Sequence, residues 1–252
     1  MQKIVQQIGN GGHIYLSKEM VGKKVEITLV EKTIGEIEEE ALLMLKPYLK
    51  HIVGVYLYGS YARGEPTPES DIDILVVADG LKIKKRIGNY EIVCASLDKI
   101  EKTLHNNAVL ILPILKESKA IINERLIDEY RDKKLTKRNT RWYIETTESS
   151  LKLVKHLIDD EDSIASIVYP LIMRLRGLHM IECLIRDKKY SVREFDKHLA
   201  GLPSGQLNRM YREYRDYKPI SDNSVGYEDV KKLYAYVYGY FKRVKSLWEK
   251  LR

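Results

Sequence analysis

Two short apolar runs, the first ending in glycine and the second opening with paired acids, constrain this chain more than any other feature. Residues 53–58 form an apolar run that predicts a buried strand, and Gly59 and Ser60 follow as a turn whose backbone N–H groups can hold a phosphate. Asp71 and Asp73 open the second strand and share one face, because alternate side chains of a strand point the same way. Adjacent carboxylates repel unless a cation lies between them, so the pattern predicts a site for Mg²⁺ or Mn²⁺ beside an anion-binding turn.

This stretch resembles the nucleotidyltransferase superfamily that includes DNA polymerase β, and within it the small prokaryotic minimal nucleotidyltransferases. The resemblance is strongest over residues 53–77 and extends over residues 35–125. The family pattern is Gly-Ser, a helical turn with Ala-Arg-Gly, and Ser-Asp-x-Asp-(Leu/Ile) on the next strand. The matching residues are Gly59, Ser60, Ala62, Arg63, Gly64, Ser70, Asp71, Asp73 and Ile74.

The resemblance implies a metal-dependent enzyme that uses ATP or another nucleoside triphosphate. Asp71 and Asp73 would be catalytic carboxylates and ligands of Mg²⁺ or Mn²⁺. The residues expected to contact the nucleotide are Gly59, Ser60, Arg63 and Ser70.

Family members carry a third acid on a later, adjacent strand, and Glu91 is the only acid of the strand predicted at residues 90–96. Glu91 is therefore the expected third catalytic and metal-binding carboxylate, although the family more often has Asp there. The alternative is a charge on an edge strand beside the turn at Gly88 and Asn89. The connection over residues 77–89 is too short and basic for a full helix.

The composition is that of a folded protein of modest size. The 252 residues are 44% hydrophobic and 31% charged, enough to bury a core. No apolar run approaches the ~20 residues that cross a bilayer, and no secretion leader is evident, so we expect no membrane partner. Cys94 and Cys183 lie in apolar surroundings and predict buried thiols in a reducing cytoplasm. Heavy use of Lys, Glu and Tyr is compatible with a thermophilic source.

The first 32 residues predict a separate β module, with a strand–glycine turn–strand over residues 4–16 and a further strand over 23–30. The segment is similar to AbrB-like swapped hairpins, although Ser17 replaces the usual Pro. The resemblance implies a homodimer joined through this module. DNA is a further expected partner, through a basic face whose residues would be Lys18, Lys23 and Lys24. The alternative is a module that only dimerises or packs on the catalytic domain.

The predicted fold class is α+β: the β module at 1–32, a mixed α/β nucleotidyltransferase domain at 33–134 and an all-α bundle at 135–252. Thr33 and Glu36 predict a helix start, because they form a capping box. The bundle helices are predicted from apolar periodicity. They cover residues 141–157, 163–186, a short helix capped by Ser191, 204–217 and 228–251, where the tyrosine-rich run at 234–240 also scores as a strand.

The bundle carries the basic excess of the chain, 23 Lys/Arg against 16 Asp/Glu over residues 136–252. Arg174, His179 and Glu182 interrupt an otherwise apolar helix there. They are candidates for a phosphate contact and for a base acting on the acceptor, or for an internal Arg–Glu tie. Arg174 and His179 also resemble the Arg-x4–6-His pattern of HEPN domains, although helix phase separates the two side chains.

The combined prediction is an enzyme that transfers a nucleoside monophosphate, AMP from ATP, to a hydroxyl of a small molecule or a protein and releases pyrophosphate. The alternative, from a different class, is a DNA-binding or antitoxin-like regulator whose nucleotidyltransferase fold senses nucleotide.

Overall fold

The structure is a computed structural model that describes residues 3, 5–9, 11–26, 32–68, 70–81, 83–159, 164–200 and 227–251. The chain forms two compact units, Met1–Glu31 and Lys32–Arg252.

The N-terminal unit contains a short hairpin. Strand β1 (Gln6–Ile8) pairs antiparallel with β2 (Gly11–His13), as the glycine-rich turn predicts. A 3-10 turn follows at Lys18–Met20. The strand expected at residues 23–30 is not seen at 23–26, and 27–30 lie outside the described residues.

A five-stranded mixed sheet organises the second unit. Its strands are β3 (Ile52–Tyr58), β4 (Ile72–Ala78), β5 (Lys84–Ile87), β6 (Tyr90–Ala95) and β7 (Lys119–Ile122), in the order β5-β6-β4-β3-β7. Only β4 and β6 run parallel among these neighbouring pairs. The short strand β5 fills the connection between them, which agrees with the prediction that a helix would not fit there.

Strand alternation divides the sheet between two apolar cores. One face presents Ile72, Ile74 and Val76 to helix α1 (Ile34–Leu45), whose Ile37, Ala41 and Leu45 are fully buried. The predicted capping box is present: Glu36 N–H bonds to Thr33 Oγ1, and the Glu36 carboxylate accepts from Thr33 N–H. Pro47 ends the α-helical run by starting a 3-10 turn, Lys46–His51.

The opposite face presents Tyr56, Leu75 and Val77 to the remaining helices. One continuous core runs from these side chains to Val244. Each fully buried aliphatic side chain stabilises such a core by about 1.5–3 kcal/mol, so the sheet and the helices stabilise one another. The helices on this face are α3 (Leu97–Asn107), α4 (Leu112–Glu117), α5 (Glu124–Arg131), α6 (Lys137–Asp159), α7 (Ile164–Ile185), α8 (Val192–Ala200) and α9 (Tyr227–Trp248). The short helix α2 (Gly59–Arg63) instead contributes Tyr61 and Ala62 to the first core.

The α+β class and the helical C-terminal region are confirmed. The run at residues 234–240 is helical within α9, so the alternative of a strand is wrong. The predicted helix at 204–217 lies outside the described residues, and the boundary between residues 134 and 135 stays a prediction. Of the helices in the described ranges, not one combines the length and apolarity needed to span a membrane.

Candidate active site

The register of the sheet brings four polar side chains into one row. Tyr58 pairs with Asp73, Asp73 with Glu91, and Glu91 with Arg86, on four successive strands. Residues directly opposite each other on neighbouring strands share a face. The row lies on the face that also carries Leu75 and Val77, so the site forms at one end of the surface that the helical region covers.

The position of Glu91 follows from this row. It lies on β6, an internal strand between β5 and β4, so the interpretation as an edge-strand charge is wrong. The turn at Gly88 and Asn89 is present just before it. Glu91 is therefore the direct neighbour of Asp73, where the family resemblance expects a third acid.

Asp71 sits differently from the prediction. It lies one residue before β4 rather than inside the strand. Its carboxylate accepts two hydrogen bonds from Arg86 Nη2, at 2.8 and 2.9 Å, with both side chains substantially exposed. Arg86 was missed by sequence reasoning, because a basic residue on a short connecting strand gives no indication of which acid it will meet.

Gly59 makes the close approach between the first turn and Asp73 possible. Its φ is +77°, in the left-handed region, and a Cβ built on it would lie 2.0 Å from Asp73 Oδ2. A side chain would therefore need both a strained backbone and a displaced carboxylate. The Asp73 carboxylate is held directly against the backbone of the Gly-Ser turn.

Burial and the neighbouring acids raise the pKa of Asp73. Burial is the largest cause, followed by the negative charges of Glu91 and Asp71, and together they raise the pKa of Asp73 from 3.8 to about 7. Glu117 adds to this effect and Arg63 opposes it. An acid destabilised in its charged form by like charges is an acid that a cation would stabilise.

Glu117, at the end of α4, is the main residue that sequence reasoning missed. Gly59 N–H donates to Glu117 Oε1 at 2.9 Å, and Arg63 Nη1 donates to both carboxylate oxygens at 2.8 Å. The Arg63 and Glu117 side chains are only 12% and 15% exposed. No motif in the sequence marks it, because it lies 58 residues away from Gly59.

Ser60 and Ser70 hold the loops on either side of the site. The Ser60 carbonyl accepts from Glu65 N–H at 2.9 Å where α2 ends. Ser70 Oγ accepts from Thr67 N–H at 2.8 Å and closes the turn that leads into β4. Both serines are partly exposed, and their contacts with a nucleotide stay predictions.

Residues 36–158 match the family model described as a nucleotidyltransferase domain. This segment is a nucleotidyltransferase domain. A protein of Methanocaldococcus jannaschii named as a candidate protein adenylyltransferase is 29% identical over 140 residues, covering 52% of this chain and 92% of that protein. A second protein of the same organism, named in the same way, is 51% identical over 51 residues, covering 19% of this chain and 50% of its own length. The family match and these relatives support assigning the chain as a nucleotidyltransferase enzyme.

Among solved structures, the spectinomycin adenyltransferase of Enterococcus faecialis with ATP and spectinomycin is similar to this chain. It is 15% identical, with a TM-score of 0.44, over 82% of this chain and 100% of that one. A likeness at this level carries no conclusion about substrate or mechanism.

The donor set of the nucleotidyltransferase domain suits a divalent cation. Asp71, Asp73 and Glu91 supply only carboxylate oxygens, the ligands that Mg²⁺ prefers. Burial first, and then the charges of Glu91 and Asp71, raise the pKa of Asp73, so a cation would stabilise its charged form. Within the described ranges, no group of three or more His, Cys, Asp or Glu side chains converges closely enough to hold a metal. Asp71 is paired with Arg86 instead.

The structure separates the three bundle residues singled out by sequence. Arg174 Nη1 lies 3.3 Å from Thr146 Oγ1 and 3.4 Å from Thr147 Oγ1, and its guanidinium packs on the Tyr143 ring, so it faces α6. The remaining two, His179 and Glu182, face α8 and α9 instead. An internal Arg–Glu tie does form, but Glu182 makes it with Arg243 and Arg186 and not with Arg174.

His179 and Glu182 belong to one buried network. Tyr240 Oη donates to Glu182 Oε2 and lies 3.2 Å from His179 Nδ1, which is also 3.2 Å from His198 Nε2. Arg243 and Arg186 donate to Glu182 at 3.0 and 3.1 Å. Burial, followed by the charge of His198, lowers the pKa of His179 to about 4. Sequence periodicity could not bring in Tyr240, because it lies 61 residues away on another helix.

Proposed function

We propose that this enzyme transfers AMP from ATP to a hydroxyl group of an acceptor and releases pyrophosphate. The acceptor oxygen forms a bond to the α-phosphorus, the bond from that phosphorus to the α,β-bridging oxygen breaks, and the hydroxyl proton goes to a base. The observation that carries the proposal is the row of carboxylates, Asp73 beside Glu91 with Asp71 at the strand start, held against Gly59.

On the nucleotide side, Asp71, Asp73 and Glu91 would hold Mg²⁺ or Mn²⁺. When bound, the ion would neutralise charge on the phosphates and lower the barrier to attack on phosphorus. The remaining nucleotide contacts belong to the two loops and are assigned to Gly59, Ser60, Arg63 and Ser70. Arg63 already lowers the negative potential at Asp73, which supports its role as a source of positive charge.

On the acceptor side, a protein hydroxyl is the proposed target, because the relatives from Methanocaldococcus jannaschii are named for protein adenylylation. A small hydroxylated molecule is the other outcome to test. Arg174, His179 and Glu182 were candidates for this side. The pairing of Glu182 with two arginines and the burial of His179 favour a role in holding the helices together.

The experiment is pyrophosphate release from each of the four nucleoside triphosphates with Mg²⁺ or Mn²⁺, with label on the α-phosphate followed onto protein. Wild type is compared with the Asp71→Asn/Asp73→Asn double variant. Metal-dependent release that the double variant lacks supports the proposal. If wild type neither turns over nor binds nucleotide in a metal-dependent way by calorimetry, the proposal fails and the DNA-binding regulator replaces it.

The role of Glu91 has its own test. Glu91→Gln keeps the shape of the side chain and its place in β6, so the fold should survive while the rate of transfer falls at least 100-fold. Lys119 pairs opposite Leu57 at the far side of the sheet, and Lys119→Gln is the matched control with unchanged rate. A Glu91→Gln variant as active as wild type would remove this residue from the catalytic set.

The N-terminal unit supports a second part of the proposal, a homodimer. Among its described residues, six apolar side chains are between 39% and 80% exposed, and clustered exposed apolar surface of this kind marks interaction sites. Tyr15→Ser with Val21→Ser should shift a wild-type dimer toward monomer in light scattering. A monomeric wild type, or a variant that stays dimeric, contradicts dimerisation here. The exposed set is Val5, Ile8, Tyr15, Leu16, Val21 and Val25.

Both cysteines are free thiols, Cys94 partly buried and Cys183 buried. Their reduced state supports the proposal that the enzyme works in a reducing cytoplasm.

A further inference from the structure

Arg63 stands between two carboxylates that come from different parts of the second unit. The Glu117 carboxylate accepts hydrogen bonds from Arg63 Nη1 at 2.8 Å, and Glu65 Oε2 lies 3.5 Å from Arg63 Nε. All three side chains are between 12% and 15% exposed. The guanidinium also packs 5.5 Å from the centroid of the Tyr190 ring. An arginine held by these contacts stays in one position and does not move freely in solvent.

Glu65 extends this arrangement to the bundle. Its carboxylate accepts a hydrogen bond from Ser191 Oγ and another, at 3.1 Å, from Val192 N–H at the start of α8. Burial would raise the pKa of Glu65, but these hydrogen bonds and the charge of Arg63 outweigh it and lower the pKa. Glu65 is therefore a charged carboxylate that lies between Arg63 and the start of α8.

Glu117 makes the corresponding connection to the catalytic turn. The same oxygen that meets Arg63 accepts the N–H of Gly59, and Gly59 lies directly against the Asp73 carboxylate. A continuous path of contacts therefore joins Asp73 to the first residues of α8. The path consists of Gly59, Glu117, Arg63, Glu65 and Ser191, and we call it the Arg63 clamp.

We infer that Glu65 is a positioning residue, which through the Arg63 clamp sets helix α8 in a fixed relation to the catalytic carboxylates. The inference rests on the proposed function, and it takes the helical region as the side from which the acceptor approaches while the nucleotide binds at the sheet. Transfer depends steeply on the distance between acceptor oxygen and phosphorus, because reacting atoms must be held close to attack geometry. A loosened α8 would therefore slow transfer. Nucleotide binding should stay intact, because Arg63 keeps its hydrogen bonds to Glu117 when Glu65 is removed.

The test compares Glu65→Ala, Glu65→Gln and Ser191→Ala with wild type. We expect Glu65→Ala to lower kcat for transfer at least 10-fold while KM for ATP stays within twofold. Glu65→Gln should recover most of that loss, because its amide oxygen still accepts a hydrogen bond from α8. Glu194→Ala, in the first turn of α8 with its carboxylate on Lys197, is the matched control and should equal wild type.

Two results would overturn the inference: an unchanged kcat in Glu65→Ala, or a parallel loss of kcat and ATP affinity. Should Glu65→Ala fail to fold, Glu65→Gln and Ser191→Ala carry the same comparison, each with a smaller loss. Hydrogen exchange separates this inference from the proposed function. Even if wild type transfers nothing, amides of residues 192–200 should exchange at least 10-fold faster in Glu65→Ala than in Glu194→Ala, and equal rates would refute the clamp.

Discussion

Replacing Asp73 with asparagine should stabilise the protein when no divalent metal is present. Folding raises the pKa of this carboxyl from 3.8 to about 7, through burial first and then through Glu91 and Asp71. The folded state therefore binds the proton more tightly than the unfolded state. The resulting contribution to stability is complete below pH 3.8 and is lost as the pH rises through 7.

The size of the effect follows from this shift. At 1.36 kcal/mol per pH unit, the raised pKa costs the folded state about 4 kcal/mol at pH 8, where Asp73 is ionised. At pH 5.5, where folding requires Asp73 to take up a proton, the cost is about 2 kcal/mol. These are upper bounds, because the side chain keeps some contact with water. Asp73→Asn removes the charge at nearly constant shape, so it should raise the free energy of unfolding by more than 1 kcal/mol at pH 8 and by clearly less at pH 5.5.

Urea unfolding with EDTA at the two pH values measures this difference. Asp98→Asn is the control, since Asp98 forms an exposed pair with Lys102 and its loss should change stability by no more than about 0.5 kcal/mol. Added Mg²⁺ should stabilise wild type and leave Asp73→Asn nearly unaffected. The reasoning is refuted if Asp73→Asn destabilises the metal-free protein, or if its effect is the same at both pH values.

Two further predictions concern Gly59 and His179. Gly59→Ala should destabilise the fold by roughly 2–4 kcal/mol, because it combines a left-handed backbone with a contact to Asp73 far below van der Waals distance, and transfer should fall below detection. A thermal melt and the pyrophosphate assay check this. The control Gly64→Ala, also at positive φ but with open space around it, should cost only about 1–2 kcal/mol. His179, whose pKa falls to about 4, stays neutral when folded, so the unfolded state takes up the proton first as pH falls below 6.5. Wild type should lose roughly 2 kcal/mol of stability more than His179→Gln between pH 7.5 and 5 in urea titrations, and parallel curves would show that this group is not responsible.

The elements that the sequence predicts well are those defined by neighbouring residues. The capping box at Thr33 and Glu36, the glycine turn after β3 and the apolar stripe of α7 depend on spacing within a few residues, and each is present. The family resemblance implied a third acid beside Asp73, and Glu91 lies directly opposite Asp73 in the sheet, while its catalytic role stays a prediction.

Residues brought together by the fold from distant positions could not be found in this way. Glu117 reaches Gly59 across 58 residues, and Glu65 reaches Ser191 across 126. Single charged residues of this kind look like any solvated acid until the packing of α4 and α8 is known. Asp71 shows the converse: periodicity placed it in a strand, but it lies one residue before β4, where it pairs with Arg86.

The shared apolar core has a practical consequence for anyone who wishes to excise the catalytic part. A fragment cut at residue 158, where the family match ends, would keep α6 but remove α7 and α9. Ile144, Leu151 and Val154, now buried in the common core, would then face water. Such a fragment should aggregate rather than fold. To exchange acceptor specificity by domain grafting, one would have to transplant the helices together with the sheet face that they cover.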